Sequence, residues 1–269
     1  MTKVVIIGGE DKIISQFIGP TGPEHRRLAN KVMEEALLMA GLSFEQISYV
    51  VTTGYGRFNV PFADRQISEL SCHAKAVSSL FPSARTVIDI GGQDSKGLKI
   101  KEGNLVQFVM NDKCAAGAGR FLEVIAEALG LKVEELGDLS LNSTKKVMIS
   151  NTCTIFTRQE VVARLSEGVG LEDIVAGLHD AIASRVAGMV RKLKIEPDVI
   201  LTGGVAKNIG VVKAMEENLG QKVSVPEEPL LTGAIGAAML GREFVSKALA
   251  KGESVPIKER RLDEVTFFK

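Results

Sequence analysis

The chain has 269 residues, which is room for one large domain or two small ones and for a substantial buried core. Its 33 Lys and Arg balance 33 Asp and Glu, so no electrostatic footprint for nucleic acid or for an anionic membrane surface is present. Hydrophobic residues at 45% and charged residues at 25% are globular averages and exclude disorder, while 27 glycines exceed the usual ~7% and require a reason.

In chain order, strands are expected over residues 4–7 and 13–18, on either side of the turn Gly8-Gly9-Glu10-Asp11. A helix over 25–39 ends at Gly41. A buried-type strand over 49–52 leads into Thr53-Gly54-Tyr55-Gly56, and a helix over 67–80 stops before Pro82. Three strands follow in series, over 86–90, 95–100 and 105–110, the last two joined by a turn at Gly103-Asn104. The chain then turns mostly helical. Phe121, Val124, Ile125, Ala128 and Leu129 recur at helical spacing up to Gly130. A second helix spans 154–168, and a long third runs through Ile174, Leu178, Ile182, Arg185, Met189 and Leu193. A strand over 198–201, a turn at Thr202-Gly203-Gly204, a helix over 206–218, a strand over 222–225 and a helix over 233–251 complete the pattern. The tail from Gly252 is charged and expected to be irregular.

No apolar run reaches the ~20 residues that a membrane span needs. The N-terminus lacks the basic region and cleavage site of a signal peptide. Three cysteines, an odd count in a long chain, argue against a disulfide framework and for a reducing compartment, so the expected location is the cytoplasm.

Two segments echo one another. Thr2-Lys3 opens a strand, a turn at Gly8–Asp11 and a second strand; Ser95-Lys96 opens another strand, a turn at 101–104 and its partner. Only the second copy is preceded by a further strand, Val87-Ile88-Asp89-Ile90, and by Gly91-Gly92. The simplest reading is a duplicated unit whose first strand is absent from the first copy. Chance likeness of two hairpins is the alternative.

Asp89-Ile90-Gly91-Gly92-Gln93-Asp94-Ser95-Lys96 follows a buried strand. Glycines let backbone approach a phosphate closely. Asp89 can hold a hydrated Mg²⁺, Gln93 or Asp94 can orient an attacking water, and Lys96 can neutralise phosphate. A Gly-Gly turn beside an Asp is also a common structural device. Thr202-Gly203-Gly204-Val205-Ala206-Lys207-Asn208 is a strand–Gly-Gly–helix element that presents a helix N-terminus to an anion or adenosine. Thr53–Gly56 and Gly233-Ala234-Ile235-Gly236 are further glycine turns or close-packing starts.

The order and spacing of these elements resemble the actin/Hsp70/sugar-kinase ATPase superfamily, an α/β, ribonuclease H-like fold with two lobes around a nucleotide cleft. The resemblance implies lobe I over 1–85 and 233–269 and lobe II over 86–232. It makes Gly91, Gly92, Ser95 and Lys96 the second phosphate loop, Gly203, Gly204, Val205 and Asn208 the adenosine loop, and Thr53–Gly56 and Gly233–Gly236 the interlobe connectors. Of the first phosphate loop only Thr2 and Lys3 remain, in line with a missing first strand.

Cys114 precedes the helix from Phe121, in Asp112-Lys113-Cys114-Ala115-Ala116-Gly117-Ala118-Gly119-Arg120. Cys153 precedes the next, in Ser150-Asn151-Thr152-Cys153-Thr154. Both are therefore expected at helix N-termini, where the dipole favours thiolate. They are too far apart for a CxxC knuckle, and two cysteines cannot alone complete four-coordinate zinc or iron–sulfur ligation; two copies across a twofold axis can. The bland reading is two buried core cysteines. Cys72, mid-helix, is expected to be core, and His25, His73 and His179 ordinary helix residues.

With Thr53-Gly54-Tyr55-Gly56-Arg57, Asp64-Arg65-Gln66-Ile67-Ser68-Glu69, Cys72-His73-Ala74-Lys75, Ile90–Lys96, both cysteine contexts and Thr202–Ala206, the chain resembles one branch closely. This is the branch of ATP-dependent activators of 2-hydroxyacyl-CoA dehydratases and the matching subunits of benzoyl-CoA reductase. The resemblance implies a 4Fe-4S cluster shared across a dimer with Cys114 and Cys153 as ligands, ATP/ADP and Mg²⁺. It also implies a second activator-type subunit, CoA-ester reductase or dehydratase catalytic subunits as electron acceptors, and reduced ferredoxin or flavodoxin as donor. The stretch Gly19–Arg27 leans to the benzoyl-CoA reductase side. A small-molecule kinase on the same scaffold, or a nucleotide-binding scaffold without hydrolysis, are the rival functions.

Overall fold

A computed structural model describes residues 1–22, 25–145, 147–255 and 262. Pro23 and Glu24 of the Gly19–Arg27 stretch, and all but a few residues of the charged tail, lie outside these. The elements in chain order are β1 (Thr2–Ile7), β2 (Ile13–Gly19), α1 (His25–Ala40), β3 (Val51–Thr52), β4 (Arg65–Gln66), α2 (Glu69–Leu80), β5 (Thr86–Ile90), β6 (Ser95–Lys101) and β7 (Asn104–Asn111). They continue with α3 (Gly119–Leu129), α4 (Leu136–Leu141), α5 (Thr154–Ser166), α6 (Leu171–Val190), β8 (Val199–Thr202), α7 (Ile209–Leu219), β9 (Val223–Ser224) and α8 (Thr232–Ala250). The chain divides into two compact units: Met1–Ser79 with Leu231–Lys269, and Leu80–Leu230.

In the first unit β1 and β2 form an antiparallel hairpin, and β3 and β4 a short parallel pair. Ile6, Met33, Ala36, Leu37, Phe44, Val50 and Phe62 make its core, with the Phe44 and Phe62 rings edge to face at 5.3 Å. The turn between β1 and β2 is a short 3₁₀ segment in which Glu10 and Asp11 both take φ of 57°. The hairpin of β6 and β7 in the other unit turns through Glu102 (φ 52°) and Gly103 (φ 77°), the paired left-handed residues of a two-residue type I′ loop. Both hairpins carry a register shift beside the turn, so the sequence echo has a local structural counterpart.

Gly236 on α8 meets the α2 backbone. A Cβ there would overlap the Cys72 carbonyl oxygen and stand 2.5 Å from the carbonyl carbon. Backbone cannot retreat as a flexible side chain can, so Gly236→Ala is expected to destabilise the protein by about 3 kcal/mol. Urea unfolding would show a lower midpoint; an unchanged midpoint would mean that the two helices separate freely.

The second unit holds a mixed five-stranded sheet in the order β7-β6-β5-β8-β9. β5 lies at its centre, parallel to β8 and antiparallel to β6, and all five of its residues are buried. Strand alternation divides its side chains between the two faces. Ile88 and Ile90 enter the core with Phe121 and Ile125 of α3, and with Ile174, Leu178, Ile182 and Val186 of α6. Asp89 therefore faces the other way, level with Lys96 on β6 and Thr202 on β8. The helix expected over 206–218 is instead two pieces, a 3₁₀ turn over Gly204–Lys207 and α7, broken at Asn208, whose extended backbone (φ −86°, ψ 105°) starts a new helix. No helix among the described residues is long and apolar enough to cross a membrane.

Candidate functional site

The glycine loop after β5 is closed by its own backbone: the Gly91 N–H donates to the Asp94 carbonyl at 2.9 Å. That turn brings Asp94 back beneath the strand end. Lys96 Nζ then lies between two carboxylates, 2.7 Å from Asp94 Oδ1 and 3.3 Å from Asp89 Oδ2. Asp89 Oδ1 accepts from the Thr202 hydroxyl at 3.1 Å. Asp89, Asp94, Lys96 and Thr202 are all at most 5% exposed. The ammonium is thus a buried counter-ion for two carboxylates, which fixes the shape of the loop. Gln93 and Gly92 stand exposed at its tip.

Gly203 follows Thr202 with φ 87° and ψ 174°, a region open essentially to glycine. A Cβ there would stand 2.7 Å from the Ile90 carbonyl carbon and 2.8 Å from Asp89 Oδ1. The β8 loop therefore passes directly against the end of β5, and the two glycine loops form one surface. Val205 is buried beneath it.

Ser95 is not brought to this group. It sits one residue from Lys96 on β6, so its side chain faces α6, where it borders a cavity of about 270 Å³ with Asn111, Arg185 and Met189. Thr2 and Lys3 open β1 in the other unit, where the Thr2 hydroxyl pairs with that of Thr21 at 2.9 Å.

Asn208 caps α7, its Oδ1 accepting from the Val211 N–H at 3.1 Å. Its Nδ2 therefore points at His179 Nε2, 3.2 Å away, which makes Nε2 the acceptor and Nδ1 the protonated nitrogen of a neutral ring. His179 is 1% exposed, Nδ1 has no partner, and burial pushes its pKa down to about 4. Because the folded pKa lies below the unfolded value near 6.5, the contribution is whole above pH 6.5 and is lost as pH falls towards 4. The full span is worth roughly 3 kcal/mol. Subtracting the pH–stability curve of His179→Gln from that of the unaltered protein should isolate this loss. Parallel curves would show that the folded ring titrates like a free one.

The two expected thiols behave differently from each other. Cys153 is the residue that caps α5, with extended backbone (φ −149°, ψ 128°). Thr157, one turn on, donates from its hydroxyl to the Cys153 carbonyl at 3.0 Å and the Ser150 carbonyl at 2.8 Å. Cys114 is not at a helix N-terminus: α3 is capped by Ala118, and residues 115–118 form a tight turn on the Ala115 carbonyl. The first free N–H groups of α3 are already used. Gly119 N–H donates to the Gly91 carbonyl at 2.7 Å and Arg120 N–H to the Gly92 carbonyl at 2.8 Å. The helix dipole thus serves Cys153 but not Cys114, and the start of α3 is tied to the glycine loop itself. Both thiols are free and half-buried. Cys72 is fully buried, and burial pushes its thiol up to about 11.

This tie between the glycine loop and the Cys114 helix was not legible from spacing, because backbone donors leave no residue signature. Nor was Arg185, which reads as one more position on a long helix.

Set beside known proteins, residues 2–241 match the model of the BadF/BadG/BcrA/BcrD ATPase family. The chain belongs to that family. It is 48% identical over 241 residues to the 2-hydroxyisocaproyl-CoA dehydratase activator of Clostridioides difficile, covering 88% of each chain. To a benzoyl-CoA reductase component of Thauera aromatica it is 33% identical over 223 residues, covering 80% of this chain and 78% of that one. The solved structure of the Clostridium difficile activator with bound ADPNP matches this ATPase with a TM-score of 0.86 at 44% identity, over 94% of both chains. The α/β fold expected from the glycine loops, that of the actin-like ATPases, is thereby shown for this family member.

Proposed function

We propose that this ATPase hydrolyses ATP to drive single electrons, at low potential, into a partner enzyme that acts on a CoA thioester. The observation that carries the proposal is the pair of hydrogen bonds from the start of α3 to the Gly91 and Gly92 carbonyls, downstream of Cys114. A change at the glycine loop is therefore felt by the segment that holds a thiol. The dehydratase activator of Clostridioides difficile stands closer in identity than the benzoyl-CoA reductase component of Thauera aromatica, 48% against 33%, which favours a dehydratase over a ring reductase as the partner. This outweighs the lean read from Gly19–Arg27.

For the phosphate chemistry, Gly91 and Gly92 present backbone at the loop tip, and exposed Gln93 is the side chain placed to orient a water. Asp94 instead holds Lys96. Both oxygens of Asp89 already accept hydrogen bonds, so this carboxylate fits a hydrated Mg²⁺ that it touches through water. Gly203, Gly204 and Val205 form the adenosine side.

Two half-buried free thiols per chain, on loops fixed to the same core, fit half of a four-thiolate ligand set. Cys114 and Cys153 would hold that half, and a second activator-type subunit the other. A 4Fe-4S cluster so bound supplies a one-electron carrier. Ile155 (68% exposed), Phe156 (65%) and Met148 (88%) flank Cys153, an apolar surface that another subunit would cover. Reduced ferredoxin or flavodoxin in an anaerobic cytoplasm is the proposed donor.

Anaerobic purification followed by iron, sulfide and ATPase assays tests the proposal. Iron in the protein and ATP-dependent activation of a 2-hydroxyacyl-CoA dehydratase are expected. Iron-free protein, or activation without ATP, overturns it.

A further inference from the structure

The two cysteine loops are held by one side chain. Arg185 on α6 donates from its guanidinium to the Asn151 carbonyl at 2.7 Å, two residues before Cys153. Asn151 returns the contact through its own amide, which donates to the Ala181 carbonyl one turn earlier on α6 at 3.2 Å. The stem of Arg185 lies against the other loop. At Gly117, three residues after Cys114, a Cβ would stand 3.1 Å from Arg185 Cδ and 3.4 Å from Nε. Asn111, at the end of β7, closes the clamp: its Nδ2 donates to the Cys114 carbonyl at 2.8 Å and would stand 3.2 Å from the same Cβ. A side chain at 117 would make Arg185 and Asn111 give by a few tenths of an ångström.

We infer that Arg185, seconded by Asn111, is a positioning residue that sets the separation of the Cys114 and Cys153 thiols. The inference rests on the iron–sulfur reading above and assigns the part of the chain that makes it work. Loop segments without regular structure hold their ligands well only when something rigid fixes them, and outer partners of ligand residues are worth 10- to 100-fold in metal affinity. α6 is such a support: Ile174, Leu178, Ile182, Val186 and Val190 are buried at 1% exposure or less. A guanidinium bonded to the Asn151 carbonyl, two residues from Cys153, also favours added negative charge there, and so the reduced state of what the thiols hold.

Arg185→Met keeps most of the stem against Gly117 and removes the charge and the bond to Asn151. Arg185→Lys keeps the charge with a single ammonium in place of the planar fork. Each is reconstituted with iron and sulfide without oxygen. Three readouts follow: the rate at which an iron chelator strips the protein, the midpoint potential by EPR-monitored titration, and nucleotide affinity. Arg185→Met is expected to lose iron at least about tenfold faster, with a more negative midpoint and ATP affinity within about twofold of the unaltered protein. Arg185→Lys is expected to fall between. Unchanged iron loss and midpoint in Arg185→Met overturn the assignment, as does Arg185→Lys behaving worse than Arg185→Met. Should Arg185→Met fail to fold, Arg185→Lys and Asn111→Ala decide: iron loss at the original rate in both overturns it. Iron missing from the unaltered protein would sink the iron–sulfur reading instead, so the two failures are distinct.

Discussion

Lys96→Met is expected to abolish ATP hydrolysis and to lower stability by about 3–5 kcal/mol, because it leaves Asp89 and Asp94 buried without their cation. Methionine fills the space of the stem, so lost packing does not explain the effect. The charge does: two carboxylates at most 5% exposed face a site whose ammonium has gone, and the Gly91–Asp94 turn closes over them. Asp94→Asn is a milder test. It keeps an oxygen acceptor for Lys96 and removes one negative charge, and should cost no more than about 1.5–3 kcal/mol. Urea unfolding and phosphate release read both. A stable, fully active Lys96→Met protein would show that the loop keeps its shape without the ammonium.

The same residues show what the sequence made legible. The apolar run over 86–90 read as a buried strand with Asp89 near its end, and the glycine pairs placed two loops at strand ends. Both follow from local rules of period and glycine conformation, and the structure repeats them. Helix boundaries were legible where a glycine takes a left-handed φ, as Gly41 and Gly130 do after α1 and α3. The identity of the charged partners was not. Lys96 reads as a phosphate ligand in sequence, yet its ammonium is spent on Asp89 and Asp94, a pairing that depends on how the turn folds back. Ser95, its neighbour, falls on the other face for the same period-2 reason that puts Lys96 on the first.

The break at Asn208 and the position of Cys114 escaped for related causes. An apolar stripe continues across 206–218, and only the competition of the Asn208 side chain for the Val211 N–H ends one helix and starts another. Ahead of α3, the donors that would have extended the helix towards Cys114 go to the Gly91 and Gly92 carbonyls, contacts between segments about thirty residues apart in sequence. α4 is six residues long, too short to carry a periodic signal.

The cysteines themselves offer the sharpest separation of fold from function. Cys153→Ser places a good capping residue at the start of α5, so the folded protein should be as stable as before or more so by up to about 1 kcal/mol. Serine cannot supply the soft thiolate that iron–sulfur binding requires. The expected outcome is therefore a well-folded ATPase with no bound iron and no electron delivery to a dehydratase. Cys114→Ser should lose the same chemistry at a modest cost in stability, since that side chain packs against the core and caps nothing. Cys72→Ala is the contrast. Its thiol, pushed up to about 11 by burial, is protonated at neutral pH and lies in the core, so iron content should not change. Iron and sulfide analysis, visible absorbance, ATP hydrolysis and dehydratase activation on the three variants together distinguish ligand from core. Iron retained in Cys153→Ser, or lost in Cys72→Ala while Cys114→Ser keeps it, would place the cluster on other residues.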